Sequence, residues 1–327
     1  MKSRALSYLV ILAVGAGVGF FTRGMLPRSA GESSRTRYQE HRQGQLGNTN
    51  PLLACDAASE VLSDPEISSF KQSLETFLNA RAGEKTSVYF RELNDGLWFS
   101  IGDVEQYIPA SLRKVPLMIA VLKQAEQESG LLDRKVKFTQ SDDSAQQNFK
   151  PSQGLVFGTS YSVKDLIYRM IVYSDNNAFA LLTKIVNPPE LMRVYSNLRM
   201  LDPQNVTSDN FLSVQTYESF FRVLYNCSYL SREASDWALE LLSKSEFSAG
   251  LVAGVPPGVK VAHKFGEKSD EASGTVQLHD CGIVYYPQHP YLLCVMSKGQ
   301  NFQSLSEGVA GVSRLVYAGI DAQVRKQ

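Results

Sequence analysis

Apolar residues first recur at helical spacing near the middle of the first hundred residues: Ile67, Phe70, Leu74, Phe77 and Leu78. Asp64 stands before them as an N-cap and Pro65 occupies the first helical position, so a helix is predicted to about residue 80. Alternation then takes over. Residues 87–93 and 97–101 read as two strands around Asn94-Asp95-Gly96, a hairpin turn sequence. Helical patterns dominate residues 111–244, with breaks at Pro151, Pro188-Pro189 and Pro203. Strand signals return at residues 260–265, 276–286 and 291–297, and a last helix is predicted over 304–324.

The order is therefore helix, two strands, a helical block, three strands, helix. Two strands at one end and three at the other can complete a single sheet. The predicted class is α+β: a five-stranded antiparallel sheet, the terminal helices on one face, an all-helical subdomain on the other side.

A different pattern precedes the folded part. Lys2 and Arg4 lead into an apolar run over residues 5–21, which Arg23 ends. At 1.5 Å per residue, about 17 residues span roughly 25 Å, slightly short of a bilayer core. Residues 1–26 are expected to be an uncleaved transmembrane signal anchor with its basic end inside. A cleaved signal peptide is the rival, although no clear A-x-A site is visible. A core helix is the third possibility, disfavoured by the basic flanks. Residues 27–62 are rich in Gly, Ser, Arg, Gln and Asn and read as a flexible extracytoplasmic linker, because such a composition buries too little apolar surface to fold. Leu52-Leu53-Ala54-Cys55 has the letters of a lipidation box but sits too far from the apolar run. The expected location is the cell membrane, single-pass, with residues 63–327 as an extracytoplasmic domain.

Charge changes little. Lys+Arg and Asp+Glu balance at 33 each, which gives no reason to expect a nucleic-acid partner. Four cysteines do not make a disulfide framework in a chain this long. Buried free thiols are the expected state, although Cys281 and Cys294 fall on two hairpin strands where a bridge is possible. No Cys or His spacing suggests a metal, and no cofactor is expected. His263, His279 and His289 fall in or beside strands and read as structural.

The candidate chemistry lies in three short motifs. Ser111-Leu112-Arg113-Lys114 opens a helix whose buried stripe is Val115, Met118, Ile119 and Leu122. Lys114 shares a helix face with Ser111, one turn on. A serine hydroxyl needs a neighbour to take its proton, and a desolvated lysine can do so. Ser174-Asp175-Asn176 follows about sixty residues later, on a turn after the run Val163, Leu166, Ile167, Met170, Ile171, which Ser162 and Asp165 cap. Lys264-Phe265-Gly266-Glu267 comes about ninety residues after that, on a strand read as ending at its glycine. Alone, each motif reads as an N-cap, a helix-to-helix loop or a solvated lysine.

Together, in this order, they resemble the class A β-lactamase-like serine hydrolases, a superfamily that includes the penicillin-binding proteins. The resemblance spans residues 63–327. It implies that Ser111 is the nucleophile and Lys114 its base. Ser174 would relay a proton to the leaving nitrogen, and Asn176 would hold a substrate amide. Lys264 would line the site, Gly266 would admit the substrate backbone, and the N–H groups of Glu267 and Ser111 would form the oxyanion hole. The implied partner is a β-lactam or a cell-wall peptide. Asp175 is expected to brace the turn.

Two departures stand out. The family's lysine is usually followed by Thr or Ser, whose hydroxyl helps bind the substrate carboxylate; here Phe265 follows. Carboxylate recognition would fall to Lys264, or to Ser273 and Thr275 if they reach. The deacylating glutamate also lacks a counterpart. Glu190 mimics its local motif but falls at the start of an amphipathic helix, and Asp202 and Asp209 are the only carboxylates in the short segment 201–213. The sequence thus leaves three functions open: a β-lactamase, a D-alanyl-D-alanine peptidase-like enzyme that deacylates slowly, or a catalytically weak domain that binds cell-wall peptide.

Overall fold

The two N-terminal and three C-terminal strand segments close into one sheet. The computed structural model describes residues 65–94, 96–140, 148–200 and 206–325. Helix α1 (Pro65–Asn79) leads into β1 (Lys85–Glu92) and β2 (Trp98–Ile101). After the helical block come β5 (Val261–Asp270), β6 (Thr275–Val284), β7 (Tyr291–Gly299) and the last helix, α8 (Phe302–Val324). The sheet order is β2-β1-β7-β6-β5, with every pair antiparallel. The N- and C-terminal parts of the chain meet at β1 and β7, from Lys85 opposite Lys298 to Glu92 opposite Tyr291.

Helices α1 and α8 pack together on one face of the sheet. Gly311 of α8 permits the contact: a Cβ there would sit 2.3 Å from the Phe77 ring of α1. The other face is covered by α6 (Val214–Tyr225) and α7 (Arg232–Leu242). Between sheet and solvent on this side stands the helical subdomain: α2 (Lys114–Ala125), α3 (Val163–Val172), α4 (Asn176–Ile185) and α5 (Pro188–Asn197). Helix α2 is its axis. Every residue from Lys114 to Leu122 is buried, not only the predicted stripe, because helices surround it.

Three details depart from the sequence reading. The stretch read as helical contains a small hairpin, β3 (Lys135–Lys137) with β4 (Ser160–Ser162), whose three-residue strands are too short to show a period. Strand β5 does not stop at Gly266 but continues to Asp270, paired with β6 throughout. Cys281 and Cys294 are not free thiols; they stand opposite each other in the β6–β7 register and are joined by a disulfide. Cys227 is free.

The expected anchor and linker, residues 1–26 and 27–62, lie outside the described residues, as does Asp202. Among the described residues no helix is long and apolar enough to cross a membrane.

Candidate active site

Ser111 sits in a 3-10 turn, Ala110–Arg113, and Lys114 is the first residue of α2. The chain reaches this turn through Ala110 at φ 47°, a left-handed conformation unusual for a residue with a Cβ. Pro116 falls in the first turn of α2, where no intrahelical N–H bond is lost. Across the cleft, the capping box of Ser162 and Asp165 starts α3. Asp175 caps α4, accepting from the N–H of Ala178 at 2.8 Å and of Leu155 at 3.1 Å. It braces the turn, as expected. Ser174, directly before it, is held at φ 55°.

Strand β5 is the sheet edge, and the 3-10 turn lies against it at Gly266. A Cβ on Gly266 would meet Leu112 Cγ at 3.0 Å, Leu112 N at 3.1 Å and Pro109 O at 3.1 Å. The close approach that glycine permits is therefore made by the protein's own serine turn.

These elements bring two lysines together. Lys114 is 2 % exposed and Lys264 is 0 % exposed. Four oxygens surround Lys114 Nζ: Ser111 Oγ at 3.0 Å, Ser174 O at 2.5 Å, Ser174 Oγ at 3.0 Å and Asn176 Oδ1 at 2.8 Å. Lys264 Nζ donates to the same Ser174 Oγ at 3.0 Å and to Phe265 O at 2.8 Å. Burial, and then the charge of Lys264, push the Lys114 amine well below its usual pKa. Burial lowers that of Lys264 to about 7, against the opposing pull of Asp280 and Glu267.

A neutral Lys114 has two N–H groups and one lone pair. The two carbonyl oxygens, Ser174 O and Asn176 Oδ1, can only accept, so they take the two N–H groups. The lone pair is left to face the Ser111 and Ser174 hydroxyls. This is the arrangement of a base poised on a serine proton. Among the described residues no carboxylate is hydrogen-bonded to Ser111 or Lys114.

A family model described as "Beta-lactamase enzyme family" matches residues 69–320, from α1 into α8. The chain belongs to that family. It is a β-lactamase-like serine hydrolase of amide bonds. No curated protein matches the sequence. Solved structures share the fold at low identity. PBP-A superposes with a TM-score of 0.65 at 19 % identity, covering 78 % of this chain and 97 % of its own. A class A β-lactamase from Bacteroides cellulosilyticus reaches 0.68 at 17 %, covering 79 % and 99 %. The extended-spectrum β-lactamase TLA-3 reaches 0.68 at 21 %, covering 77 % and 98 %.

Against this family background the site has its own features. Glu190 lies on α5, buried, 3.3 Å from Arg193, and not in a loop over the site. Asp209 is exposed. Its neighbour Asn210 accepts from Gln277 at 3.0 Å. Ser273 and Thr275 do not reach Lys264. They stand at the β5–β6 tip, where Asp270 pairs with Thr275, six residues and so roughly 20 Å along the strand from Lys264. Ser273 Oγ donates instead to Asp270 Oδ2 at 2.5 Å.

Two features escaped the sequence reading. Phe265 stacks on Phe247 at 4.1 Å and meets Phe149 edge-on at 5.0 Å, while its ring lies 4.1 Å from Lys264 Nζ. The Glu267 carboxylate accepts from Asn148 N at 2.9 Å, Asn148 Nδ2 at 2.8 Å and Phe149 N at 2.9 Å. Alternation along β5 puts Phe265 and Glu267 on one face, which was readable; their partners Asn148 and Phe149, over a hundred residues away, were not. His263 and His279 make buried contacts within the sheet region, in keeping with the structural role expected of them. His263 Nδ1 lies 2.7 Å from Asp280 Oδ1, and His279 Nε2 lies 3.0 Å from Ile108 O. Among the described residues no group of His, Cys, Asp or Glu could hold a metal ion.

Proposed function

We propose that the protein cleaves amides through an acyl-enzyme on Ser111, with a β-lactam ring as a strained amide that it opens. The single observation that carries this is the environment of Lys114: a buried amine 3.0 Å from Ser111 Oγ, with a second buried lysine beside it to hold it neutral. Lys114 takes the hydroxyl proton as Oγ bonds to the carbonyl carbon. The tetrahedral oxyanion is received by the backbone N–H groups of Ser111 and Glu267, which do not have to reorganise as charge develops. Ser174 Oγ, hydrogen-bonded to both lysines, passes a proton to the leaving nitrogen as the C–N bond breaks. Asn176 and Gly266 frame the substrate backbone.

The ester then needs an activated water. No described carboxylate is placed for it, which favours a long-lived adduct and so the peptidase-like variant of the reaction over rapid β-lactam turnover. A variant of PBP-A has been captured as an acyl-enzyme with penicillin G. That protein shares this fold, which supports testing the same adduct here. Membrane anchoring through residues 1–26, with the domain extracytoplasmic, remains part of the proposal. The Cys281–Cys294 bridge supports the extracytoplasmic placement, since such bonds persist in oxidising compartments.

The test is incubation with a fluorescent penicillin, followed by intact mass over time. A lasting adduct on Ser111 is expected. Ser111→Ala should abolish it, and Lys114→Ala should slow its formation at least about a hundredfold. Labelling of Ser111→Ala at the wild-type level would remove Ser111 from the mechanism. Fast, burst-free turnover would mean that segment 201–213 does supply a base.

A further inference from the structure

We propose that this site selects acyl donors carrying no negative charge on the side that faces β5: an internal peptide amide or a neutral ester, rather than a substrate with a carboxylate there. The inference rests on the acyl-transfer proposal above and concerns what kind of acyl donor that site accepts.

Three observations point the same way. The first is that Lys264 is shielded from solvent. It is fully buried, its Nζ is bonded to Ser174 Oγ and Phe265 O, and the Phe265 ring covers it at 4.1 Å. An anion could reach this amine only by displacing aromatic surface. The second is that the wall beside it is apolar. Phe265 is 2 % exposed because Phe149 and Phe247 close over it, leaving no hydroxyl at this position.

The third is a negative charge where an anionic ligand would need a positive one. Glu267 shares the Phe265 face of β5, and its carboxylate is fixed there by the 148–149 segment. Its charge is felt at both Lys114 and Lys264. Arg113, the other cation felt at Lys114, lays its guanidinium over the Phe179 ring, 5.6 Å from its centroid. Like charges across a partly desolvated site oppose each other strongly, so a carboxylate on this side would slow acylation. A neutral group would meet no such repulsion.

Penicillin G and its methyl ester test this, because they differ only in that carboxylate. The readout is the second-order rate of adduct formation on the whole domain by intact mass. The methyl ester is expected to react at least about tenfold faster, the size of effect that one unscreened like charge produces. Salt should raise the rate of the free acid and leave the ester unchanged. Glu267→Gln and Phe265→Thr, made separately, should each shift the ratio toward the acid. A wild type that prefers the free acid would overturn this inference alone. Labelling of Ser111 by neither probe would overturn the acyl-transfer proposal, and this one with it.

Discussion

Two lysines within reach of one serine hydroxyl have opposite tasks, and burial assigns them. Lys114 must be neutral to accept a proton; Lys264, when charged, holds Lys114 neutral and supports the developing oxyanion. Since burial brings Lys264 to about 7, its charge is lost as pH rises through neutrality. Acylation should therefore fall on the alkaline side of pH 7, not near pH 10 where a solvated lysine would titrate. Lys264→Arg keeps its charge at every accessible pH and should remove that limb. A wild-type rate still rising at pH 9 would exclude a charged Lys264 from the step. At this scale the sequence was largely readable. Ser111, Lys114, Ser174, Asn176 and Lys264 stand in short motifs whose chemistry is local, and the structure brings all five together. Phe265 was visible as an anomaly, but its meaning depends on Phe149 and Phe247, which no local pattern connects to it.

Among the elements, the contact between β5 and the serine turn is the most demanding. Gly266→Ala would place a methyl group within 3.0–3.1 Å of Leu112 and Pro109 O, with backbone atoms that cannot swing aside. Overpacking of this kind costs about 1–3 kcal/mol, and relief requires the turn to move off the strand. The expected result is a modest loss in denaturant midpoint with a much larger loss of labelling, because Ser111 rides on the turn that moves. Equal, small effects on both would show that the turn adjusts freely. Periodicity found the long elements: α1, α3 with its cap, α8 and the five sheet strands. It missed what short range cannot encode. The β3–β4 hairpin has one alternation per strand, and the end of β5 is decided by β6, which pairs it four residues past the glycine. The disulfide needed the β6–β7 register, which places Cys281 opposite Cys294.

The whole molecule carries an unusual set of buried titratable groups, and their signs predict its pH stability. His279 is lowered by burial to about 4 from 6.5, so the unfolded chain takes up a proton there that the native state refuses, and stability falls as pH drops through that window. Lys264, at about 7 against 10.5, and Lys114 act alike at higher pH: the native state lacks protons that the unfolded chain holds, so stability rises from about 7 toward 10. Burial raises Tyr107, Tyr217, Tyr285 and Tyr291, so above pH 10 the unfolded chain sheds protons that the native state keeps, and stability falls. Thermal melts should show a maximum near pH 9–10, above the usual range of about 5–8. Lys264→Met should flatten the rise, and a maximum near pH 6 in the wild type would contradict the assignment. The sheet order has a consequence for how the chain is made. Since β1 pairs with β7 some two hundred residues later, the two halves of the sheet cannot join until the last strand has been made. The ribosome delivers Ser111 and its helix long before the strand that completes their support. Until residue 299 emerges, the apolar faces of β1 and α2 must be kept from other chains by something else, and any frameshift or stop before β7 leaves not a weakened enzyme but an aggregation-prone fragment.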